Sequence, residues 1–293
     1  MPALVEFAPA KINLTLRVGP LRADGYHDLE SLVVFARPRD RLALAPGDAL
    51  SISAQGPTAG KAGPNADNLV IKAARALAAA IPGLASGAFT LNKRLPVAAG
   101  IGGGSSDAAA ALRLLACLNG LSRDDPRLLQ AARATGADVP VCVDPRPRVM
   151  RGIGEKLSAP LALPELPAVL VNPGVSLPTR EVFVLLDGAR DRAGTTVPPF
   201  EGDTPQLTQE AALFAYMERN ANDLEIPAIA LRPEVGAVLS ELRALPGCKF
   251  ARMSGSGATC FGIFAREHAA QAARRLRAMH PQWWVRATRL GAG

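Results

Sequence analysis

The most restrictive feature of the sequence is a segment near its middle that carries almost no side chains. Residues 96–107 include four glycines and two alanines, and they lie between a strand-like run at 89–93 and an alanine-rich run. Side chains this small cannot fill a hydrophobic core, but they let another molecule approach the backbone closely. The segment therefore predicts a loop that leads from a strand into a helix, which begins at Ser105 or Ser106 and ends near residues 119–120.

The chemistry of this loop favours an anionic ligand, and we expect a diphosphate or triphosphate there. The first turn of a helix offers backbone N–H groups without intrahelical partners, and the helix dipole adds positive potential. The segment is not a Walker A loop, because the terminal Gly-Lys-Ser/Thr is missing, and Ser105 replaces the last glycine of a G-x-G-x-x-G pattern. The alternative is a tight turn capped by Ser106. Asp107 either caps the helix as well or helps to hold magnesium, and we favour the cap.

Hydrophobic periodicity elsewhere predicts strands and helices without a strict strand–helix–strand repeat. An Asp-Gly pair at residues 24–25 signals a hairpin turn. This mixture predicts an α+β fold with mixed or antiparallel sheets. The length of 293 residues fits two lobes, and proline-rich stretches place the boundary near residue 160, between lobes of residues 1–160 and 161–293. We predict strands at 12–18, 32–35, 50–54, 89–93, 168–172, 250–253, 260–264 and 283–289, and further helices at 68–80, 126–135, 179–186, 209–219, 233–244 and 267–279.

Composition excludes several classes of protein. A hydrophobic fraction of 48% and a charged fraction of 20% rule out wholesale disorder. No uninterrupted apolar run is long enough to span a membrane, and the N-terminus lacks the basic start of a secretory signal. The four cysteines are far apart and form no C-x-x-C pair, which predicts free thiols, a cytoplasmic location and no zinc site.

The net charge of +7 is compatible with two kinds of partner. A nucleic acid would require a basic patch interleaved with aromatic residues, but the arginines are dispersed and aromatic residues make up only 4% of the chain. A polyanionic small molecule agrees with the charge without demanding it. We therefore predict a small-molecule ligand and no nucleic-acid or membrane partner, while nothing in the sequence indicates an oligomeric state.

Three further segments carry candidate functional residues, each with a structural alternative. Lys11 and Asn13 lie on the same face of a strand, and Lys11 is one of only six lysines. Its ammonium could neutralise a phosphoryl group, or it could be an edge-strand lysine in solvent. Asp138 could act as a general base or cap a short helix. The second glycine-rich segment, residues 253–259, could share a ligand with the first or be an ordinary turn.

Residues 9–14, 96–107 and 254–259 together resemble the three motifs of the GHMP kinase superfamily, in order and at similar separations. The resemblance implies a two-lobe α+β GHMP kinase fold, with an N-terminal lobe like a ribosomal protein and a ferredoxin-like C-terminal lobe. It also implies ATP and Mg²⁺, with the active site in the cleft between the lobes. Further segments are similar to those members that phosphorylate the C2 hydroxyl of a cytidine diphosphate sugar alcohol in non-mevalonate isoprenoid biosynthesis: residues 22–27, 136–140, 152–155, 173–179 and 222–225.

The same resemblance assigns residues to the reaction and to ATP. Asp138 would accept or orient the proton of the acceptor hydroxyl, and Lys11 would offset the charge on the γ-phosphoryl group. Asn68 and Lys93 match positions near the adenine and ribose. The phosphates would be wrapped by Pro96, Ala98, Ala99, Gly100, Ile101, Gly102, Gly103, Gly104, Ser105 and Ser106. The magnesium ligands are unknown, although Ser105 or Ser106 could contribute one.

For the phosphoryl acceptor, the resemblance implies a cytosine site. Tyr26 and Phe183 would stack on the base, and His27 would hydrogen-bond its edge. Asn13 would hold the substrate diphosphate, and Thr179 would hold its phosphate or sugar.

The chain departs from the family pattern at Ala98 and Ala99, where some members carry glycine. Methyl groups there should still leave room for phosphates if the φ angles of these two alanines are negative. A second departure is the proline- and arginine-rich stretch at residues 144–148, which is a matter of loop detail rather than chemistry.

Two other functions stay open at this stage. Another GHMP kinase, acting on mevalonate, homoserine or a sugar, would share the glycine-rich loops but would have no use for an aromatic cytosine site. A non-catalytic RNA-binding protein would fit the basic charge and the likeness of the first lobe to a ribosomal protein.

Overall fold

The computed structural model of the chain describes residues 3–61, 67–194, 200 and 205–291. The chain divides into two compact units, each assembled from several segments. Unit 1 comprises Met1–Lys11, Pro38–Val97 and Gly102–Pro145, and unit 2 comprises Ile12–Arg37, Ala98–Ile101 and Arg146–Gly293. These units do not coincide with lobes divided at residue 160, and that sequential division stays a prediction.

Strands and helices occur throughout both units, as the predicted α+β class requires. The strands are β1 Leu4–Asn13, β2 Arg17–Leu21, β3 His27–Pro46, β4 Ser51–Gln55, β5 Gly87–Asn92, β6 Arg148–Gly152, β7 Lys156–Leu157, β8 Leu166–Asn172, β9 Cys248–Met253, β10 Cys260–Phe264 and β11 Trp284–Leu290. The helices are α1 Leu69–Ala80, α2 Gly103–Leu118, α3 Pro126–Thr135, α4 Val139–Val143, α5 Thr179–Ala193, α6 Glu210–Arg219, α7 Glu225–Leu231, α8 Pro233–Ala244 and α9 Ala269–Met279, with a 3₁₀ turn at Ala59–Lys61. Within the described ranges, no helix combines the length and apolarity needed to cross a bilayer. All four cysteines are free thiols.

In unit 1, a small mixed sheet supports a layer of helices. Strand β5 pairs antiparallel with the second half of β3 and parallel with β4. Helix α1 begins where the sequence predicts, because Asn68 caps it and accepts a hydrogen bond from the N–H of Val70 at 3.0 Å. Val70, Ala74 and Leu77 share one buried face, which packs against α2 and α3. Burial of a leucine side chain of this kind contributes about 1.5–3 kcal/mol.

In unit 2, antiparallel pairing dominates. Strand β8 lies between β11 and β10, and β10 also pairs with β9. The first half of β3 pairs with β2 and β6. The predicted hairpin between β2 and β3 is present, with Gly25 at φ +83° and the N–H of Arg22 donating to the carbonyl of Tyr26 at 2.7 Å. Helices α8 and α9 pack on β8 to β11, so the nearly continuous apolar run of β8 is buried.

The structure differs from the predicted elements mainly in two cases: where hydrogen bonds to distant residues set the bounds of a strand, and where an element is very short. The predicted strand at 12–18 is divided, because the N–H of Leu16 donates to the carbonyl of Ala221 and its own carbonyl accepts from Asp223. Strand β3 extends well beyond residues 32–35, since Asp40 continues a buried alternation along it. The short elements β6, β7 and α7 were not predicted, because two to seven residues show too little periodicity. Helix α4 is the short helix that the structural alternative for Asp138 predicts.

Candidate active site

Helix α2 starts at Gly103, two or three residues before the predicted Ser105 or Ser106, because a glycine occupies its N-cap position. Gly102 has φ +59°, and no side chain caps the helix. The first intrahelical bond joins the N–H of Ser106 to the carbonyl of Gly102 at 2.8 Å, so the N–H groups of residues 103–105 precede it. Such groups are the donors that bind anions at a helix N-terminus. Ser106 is not the cap, because its hydroxyl donates to the carbonyl of Pro9 at 2.7 Å.

Lys11 and Asp138, which the sequence separates widely, form an ion pair. The Nζ atom of Lys11 lies 2.8 Å from Oδ2 of Asp138, and the two side chains are 4% and 36% exposed. Asp138 occupies the N-cap position of α4, as the structural alternative predicts, but its side chain accepts no capping hydrogen bond. The carboxylate is therefore oriented by a buried ammonium while one of its sides stays accessible to a hydroxyl group.

The stem of Lys11 lies directly against the glycine that starts α2. A Cβ atom added to Gly102 would be 3.1 Å from Cβ and 3.2 Å from Cε of Lys11. Glycine at this position thus lets the ammonium–carboxylate pair lie beside the helix N-terminus. A group that accepts hydrogen bonds from the first turn of α2 would be close to the Lys11 charge.

A second charged group, formed by Asp40, Lys93 and Asp107, is buried under the first turn of α2. Lys93 Nζ lies 2.6 Å from Oδ2 of Asp40 and 2.6 Å from Oδ2 of Asp107, and all three side chains are at most 4% exposed. A Cβ atom on Gly103 would be 3.2 Å from that Nζ. The expectation that Asp107 caps α2 is wrong, because its carboxylate is used by Lys93. The ammonium of Lys93 is also occupied, so a direct contact with adenine or ribose finds no support here.

Burial and charge shift the pKa values in this group in opposite senses. Burial raises the pKa of Asp107 to about 7, although the ammonium of Lys93 opposes the rise. Burial lowers the pKa of Lys93, but the charges of Asp107 and Asp40 outweigh it and the net pKa is raised. Lys93 therefore remains an ammonium, while Asp107 can take up a proton near neutral pH.

The two glycine-rich loops contact each other within unit 2. The hydroxyl of Ser254 donates to the carbonyl of Gly100 at 3.0 Å, and the N–H of Thr259 donates to the carbonyl of Ala99 at 3.1 Å. Gly100 has φ +72°, and a Cβ atom there would collide with the Ser254 carbonyl oxygen and lie 2.7 Å from the backbone nitrogen of Gly257. The condition of negative φ is not met at Ala98, whose φ is +50°.

His27 and Phe183 are brought together within unit 2. Their ring centroids are 5.1 Å apart, with an angle of 32° between the planes. His27 is buried, with Nδ1 at 2.9 Å from the carbonyl oxygen of Gly19 and Nε2 at 3.3 Å from Oδ2 of Asp187. Tyr26 is 57% exposed, so it offers an accessible ring next to His27 in the chain.

The remaining predicted residues have more varied surroundings. Thr179 is the exposed first residue of α5, and its hydroxyl lies 2.8 Å from that of Ser256 in the second glycine-rich loop. Asn13 is buried, and its Nδ2 donates to the Ser31 hydroxyl at 2.7 Å. Oδ1 of Asn13 is buried without a partner among the described residues, and it is an acceptor, so a direct bond to diphosphate oxygens is not supported.

Three residues that contact parts of the candidate site lack a predicted role. Asn222 donates from Nδ2 to the carbonyls of Met253 and Gly255, both at 2.8 Å, and so holds the second glycine-rich loop. Asp40 could have been found from its alternation with the buried Leu42 in the same strand. Asp187 could have been found from its helical spacing of four residues after Phe183.

The side chains around the loop offer few oxygen ligands for magnesium. Among the residues that the structure describes, no cluster of three or more histidine, cysteine, aspartate or glutamate side chains could hold a metal ion. Asp107 and the hydroxyl of Ser106 are already engaged. Magnesium commonly uses one or two protein oxygens together with substrate phosphates, and the Ser105 hydroxyl fits that limited need.

Two family models match the chain. The model described as the GHMP kinases N terminal domain matches residues 68–144, and the GHMP kinases C terminal model matches residues 206–282. The first match includes the first glycine-rich loop and Asp138, and the second includes the Ser254–Thr259 loop.

Curated relatives match over almost the entire chain. It is 57% identical over 292 residues to the 4-diphosphocytidyl-2-C-methyl-D-erythritol kinase of Methylobacterium radiotolerans, covering 98% of this chain and 99% of that protein. It is 56% identical to the enzyme of the same name from Xanthobacter autotrophicus, covering 97% of each.

Solved structures show the same likeness. A crystal structure of 4-(cytidine 5'-diphospho)-2C-methyl-D-erythritol kinase matches with a TM-score of 0.78 and 37% identity, over 99% of this chain and 100% of the other. Homoserine kinase from Cytophaga hutchinsonii matches with a TM-score of 0.69 over 99% of this chain and 96% of the other. Its identity is only 18%, so this second likeness concerns the fold alone.

Proposed function

The chain belongs to the 4-diphosphocytidyl-2-C-methyl-D-erythritol kinase family of the GHMP kinases, and we propose that it carries out the kinase reaction of this family through Lys11 and Asp138. The reaction is ATP-dependent phosphorylation of the C2 hydroxyl of 4-diphosphocytidyl-2-C-methyl-D-erythritol, a step of non-mevalonate isoprenoid biosynthesis. The observation that carries the proposal is the 2.8 Å Lys11–Asp138 ion pair beside the uncapped start of α2.

In this proposal, Asp138 acts on the acceptor hydroxyl. The hydroxyl oxygen forms a bond to the γ-phosphorus, the bond from that phosphorus to the β–γ bridging oxygen breaks, and ADP leaves. The proton of the hydroxyl passes to the Asp138 carboxylate. Phosphoryl transfer has a loose transition state, so the orientation of the hydroxyl contributes more than the basicity of the carboxylate.

Lys11, beside Asp138, supplies electrostatic stabilisation to the transferring phosphoryl group. Its buried Nζ is held by Asp138, and its aliphatic stem lies against Gly102. A positive charge that is already in position needs no reorganisation when charge develops on the transferring phosphoryl oxygens.

The N–H groups at the start of α2 are proposed to receive the ATP phosphates. Residues 103–105 contribute donors that precede the first intrahelical bond, and the small side chains of Gly103 and Gly104 let phosphate oxygens approach. Asn68 caps α1 through its Oδ1 atom, so the Nδ2 donor is the part of its side chain proposed to contact the adenine or ribose. Lys93 is proposed not to touch the nucleotide. Its buried charge beside Gly103 instead contributes positive potential at the loop that receives the phosphates.

Magnesium is proposed to be held chiefly by the ATP phosphates. The Ser105 hydroxyl is the protein oxygen that would complete its coordination, which leaves the Asp138 carboxylate to the acceptor hydroxyl. When bound, the ion neutralises charge on the triphosphate and so assists departure of ADP.

The cytosine site is proposed to lie at His27 and Phe183, with Tyr26 as a second aromatic surface. The aromatic rings stack on the base, and the imidazole reads its edge. Thr179 contacts the phosphate or sugar of the same substrate from its exposed position at the start of α5. Asn13 supports this region through Ser31 and Ser254, rather than by holding the diphosphate itself.

A coupled assay of ADP release tests the proposal. The cytidine substrate should support turnover, whereas mevalonate and homoserine should not. Asp138→Asn should lower kcat by roughly 10²- to 10⁴-fold while the substrate still binds. Asp124→Asn, at an exposed position in the same unit, serves as the charge-matched control. An Asp138→Asn enzyme that keeps most of its kcat would refute the role of this carboxylate.

The alternatives make different predictions in the same assay. Another GHMP kinase would turn over a different acceptor, and an RNA-binding protein would show salt-sensitive binding without ATP turnover. A small-molecule rather than a nucleic-acid ligand, and a cytoplasmic location, are parts of the proposal.

A further inference from the structure

Arg113 is a buried charged residue within an otherwise apolar stretch of α2. It is 3% exposed, and its neighbours Leu112 and Leu114 are buried as well. Placing a guanidinium group in such surroundings is costly unless its N–H groups are paired. The group carries five donors in a rigid planar arrangement, so it can join several acceptors at fixed positions. The acceptors that Arg113 uses therefore indicate what it does.

The guanidinium of Arg113 joins α2 to two other elements of unit 1. On one side, Nε donates to Oε2 of Glu6 at 3.1 Å, and one terminal nitrogen donates to the carbonyl of Phe7 at 2.7 Å. On the other side, the second terminal nitrogen donates to the carbonyls of Cys142 at 2.8 Å and Val143 at 3.4 Å. The first two of these residues belong to β1, and the last two end α4. One side chain thus bridges a strand and a short helix.

The two elements that Arg113 bridges carry the proposed reacting groups. Lys11 follows Phe7 by four residues along β1, and Asp138 precedes Cys142 by four residues at the opposite end of α4. A helix of this length is not stable by itself, so the position of α4 depends on the residues that it contacts. Its last carbonyl groups have no partner within the helix, and they accept from Arg113 instead.

We propose that Arg113 is a positioning residue that holds the Lys11 ammonium and the Asp138 carboxylate at contact distance; this inference rests on the proposed function. It acts through the backbone of β1 and α4 rather than on the substrate. The separation of 2.8 Å between Nζ and Oδ2 requires the two elements to keep a fixed spacing, and the bridge supplies it. A displacement of about 1 Å in a reacting group can lower a rate about 100-fold, so loss of the bridge should lower turnover.

Steady-state kinetics of Arg113→Met and Arg113→Lys test this role. Methionine removes the bridge and keeps part of the apolar stem, so kcat should fall roughly 10- to 100-fold. Lysine keeps a charge that can reach some of the acceptors, so Arg113→Lys should fold, but it lacks the planar set of donors and should still lose about tenfold in kcat. The KM for the cytidine substrate should stay within about twofold in both variants, because the proposed base site at His27 and Phe183 belongs to unit 2.

Leu44→Ala is the control for a general loss of stability. Leu44 is fully buried in unit 1, in the part of β3 that pairs with β5, and it has no proposed role in binding or catalysis. Its replacement should lower the melting temperature while kcat stays near that of the wild type at a temperature where all variants are folded. A loss of kcat in Leu44→Ala equal to that in Arg113→Met would overturn the proposal.

A double-mutant cycle shows whether Arg113 acts through the ion pair. In an Asp138→Asn enzyme the pair has already lost one charge, so adding Arg113→Met should lower kcat by less than about threefold further. A merely structural role would lower kcat by the same factor with and without Asp138→Asn. That result would overturn the proposal.

Amide hydrogen exchange needs no turnover, and it separates this inference from the proposed function. Exchange over residues 139–144 should become about tenfold faster or more in Arg113→Lys than in the wild type, while residues 69–80 of α1 should not change. Faster exchange confined to α4 would support the hold of Arg113 on this helix even if the cytidine substrate were not phosphorylated. Unchanged exchange over α4 would refute the inference while leaving phosphoryl transfer by Asp138 intact.

Discussion

Replacing Lys93 by methionine should destabilise the protein strongly, because one buried ammonium serves two buried carboxylates. Its Nζ lies 2.6 Å from both Asp40 and Asp107, and none of the three side chains is more than 4% exposed. Removing one partner of a buried ion pair typically costs about 3–5 kcal/mol. That loss is a large part of the roughly 5–15 kcal/mol by which proteins are stable. Methionine keeps the apolar stem, so the lost charge is the main change.

Urea denaturation of Lys93→Met at pH 8 measures this loss. Lys72→Met is the control, because the Lys72 ammonium is half exposed and 3.9 Å from Asp67, a type of pair that contributes less than about 1 kcal/mol. At pH 5 the loss should be smaller, since buried carboxylates without a cation take up protons. Adding Asp107→Asn to Lys93→Met should restore part of the stability, because one fewer carboxylate then lacks a counter-ion.

The reasoning would be refuted by a Lys93→Met protein that unfolds within about 1 kcal/mol of Lys72→Met at pH 8. A loss of full size that Asp107→Asn does not relieve would instead attribute the effect to packing. Because the charged group lies beneath the first turn of α2, the KM for ATP of folded Lys93→Met should also rise in the coupled assay.

Three further changes have expected outcomes in stability or kinetics. Gly100→Ala should destabilise the protein and raise the KM for ATP, because the added Cβ would collide with backbone atoms of residues 254 and 257. Urea denaturation measures the loss of stability and ATP titration measures the KM. An unchanged KM would contradict this prediction. Ala98→Gly should stabilise the folded protein by up to about 1 kcal/mol, because a non-glycine residue at φ +50° is strained. A lower melting temperature of the variant would count against this prediction. Asp107→Asn should flatten the dependence of stability on pH. The folded pKa of about 7 exceeds the ordinary 3.8, so the folded state binds more protons and wild-type stability falls as pH rises from about 4 to 7, by at most about 1.4 kcal/mol per pH unit, then levels off. Equal slopes for both proteins in urea titrations would refute that assignment.

Much of the secondary structure was predictable because its determinants are local. Helix α3 has its predicted bounds, with Asp125 as cap and a proline in the first turn. Helix α1 likewise follows from Asn68 and an apolar face of regular spacing. The start of α2 was not predicted correctly, since serines are favoured caps and the left-handed conformation of Gly102 arises from its surroundings.

The sequence alone indicated a side-chain-poor loop suited to phosphates and a lysine and an aspartate in short motifs, and the family resemblance added the expectation that aromatic residues bind a base. Those properties belong to short segments, and they can be recognised without knowing what packs around them. Only the tertiary structure decided that Lys93 is bound by Asp40 and Asp107, that Asn13 is buried, and that Asp187 faces His27. The physical reason is that burial and charge pairing depend on partners far away in the chain, which local patterns do not encode.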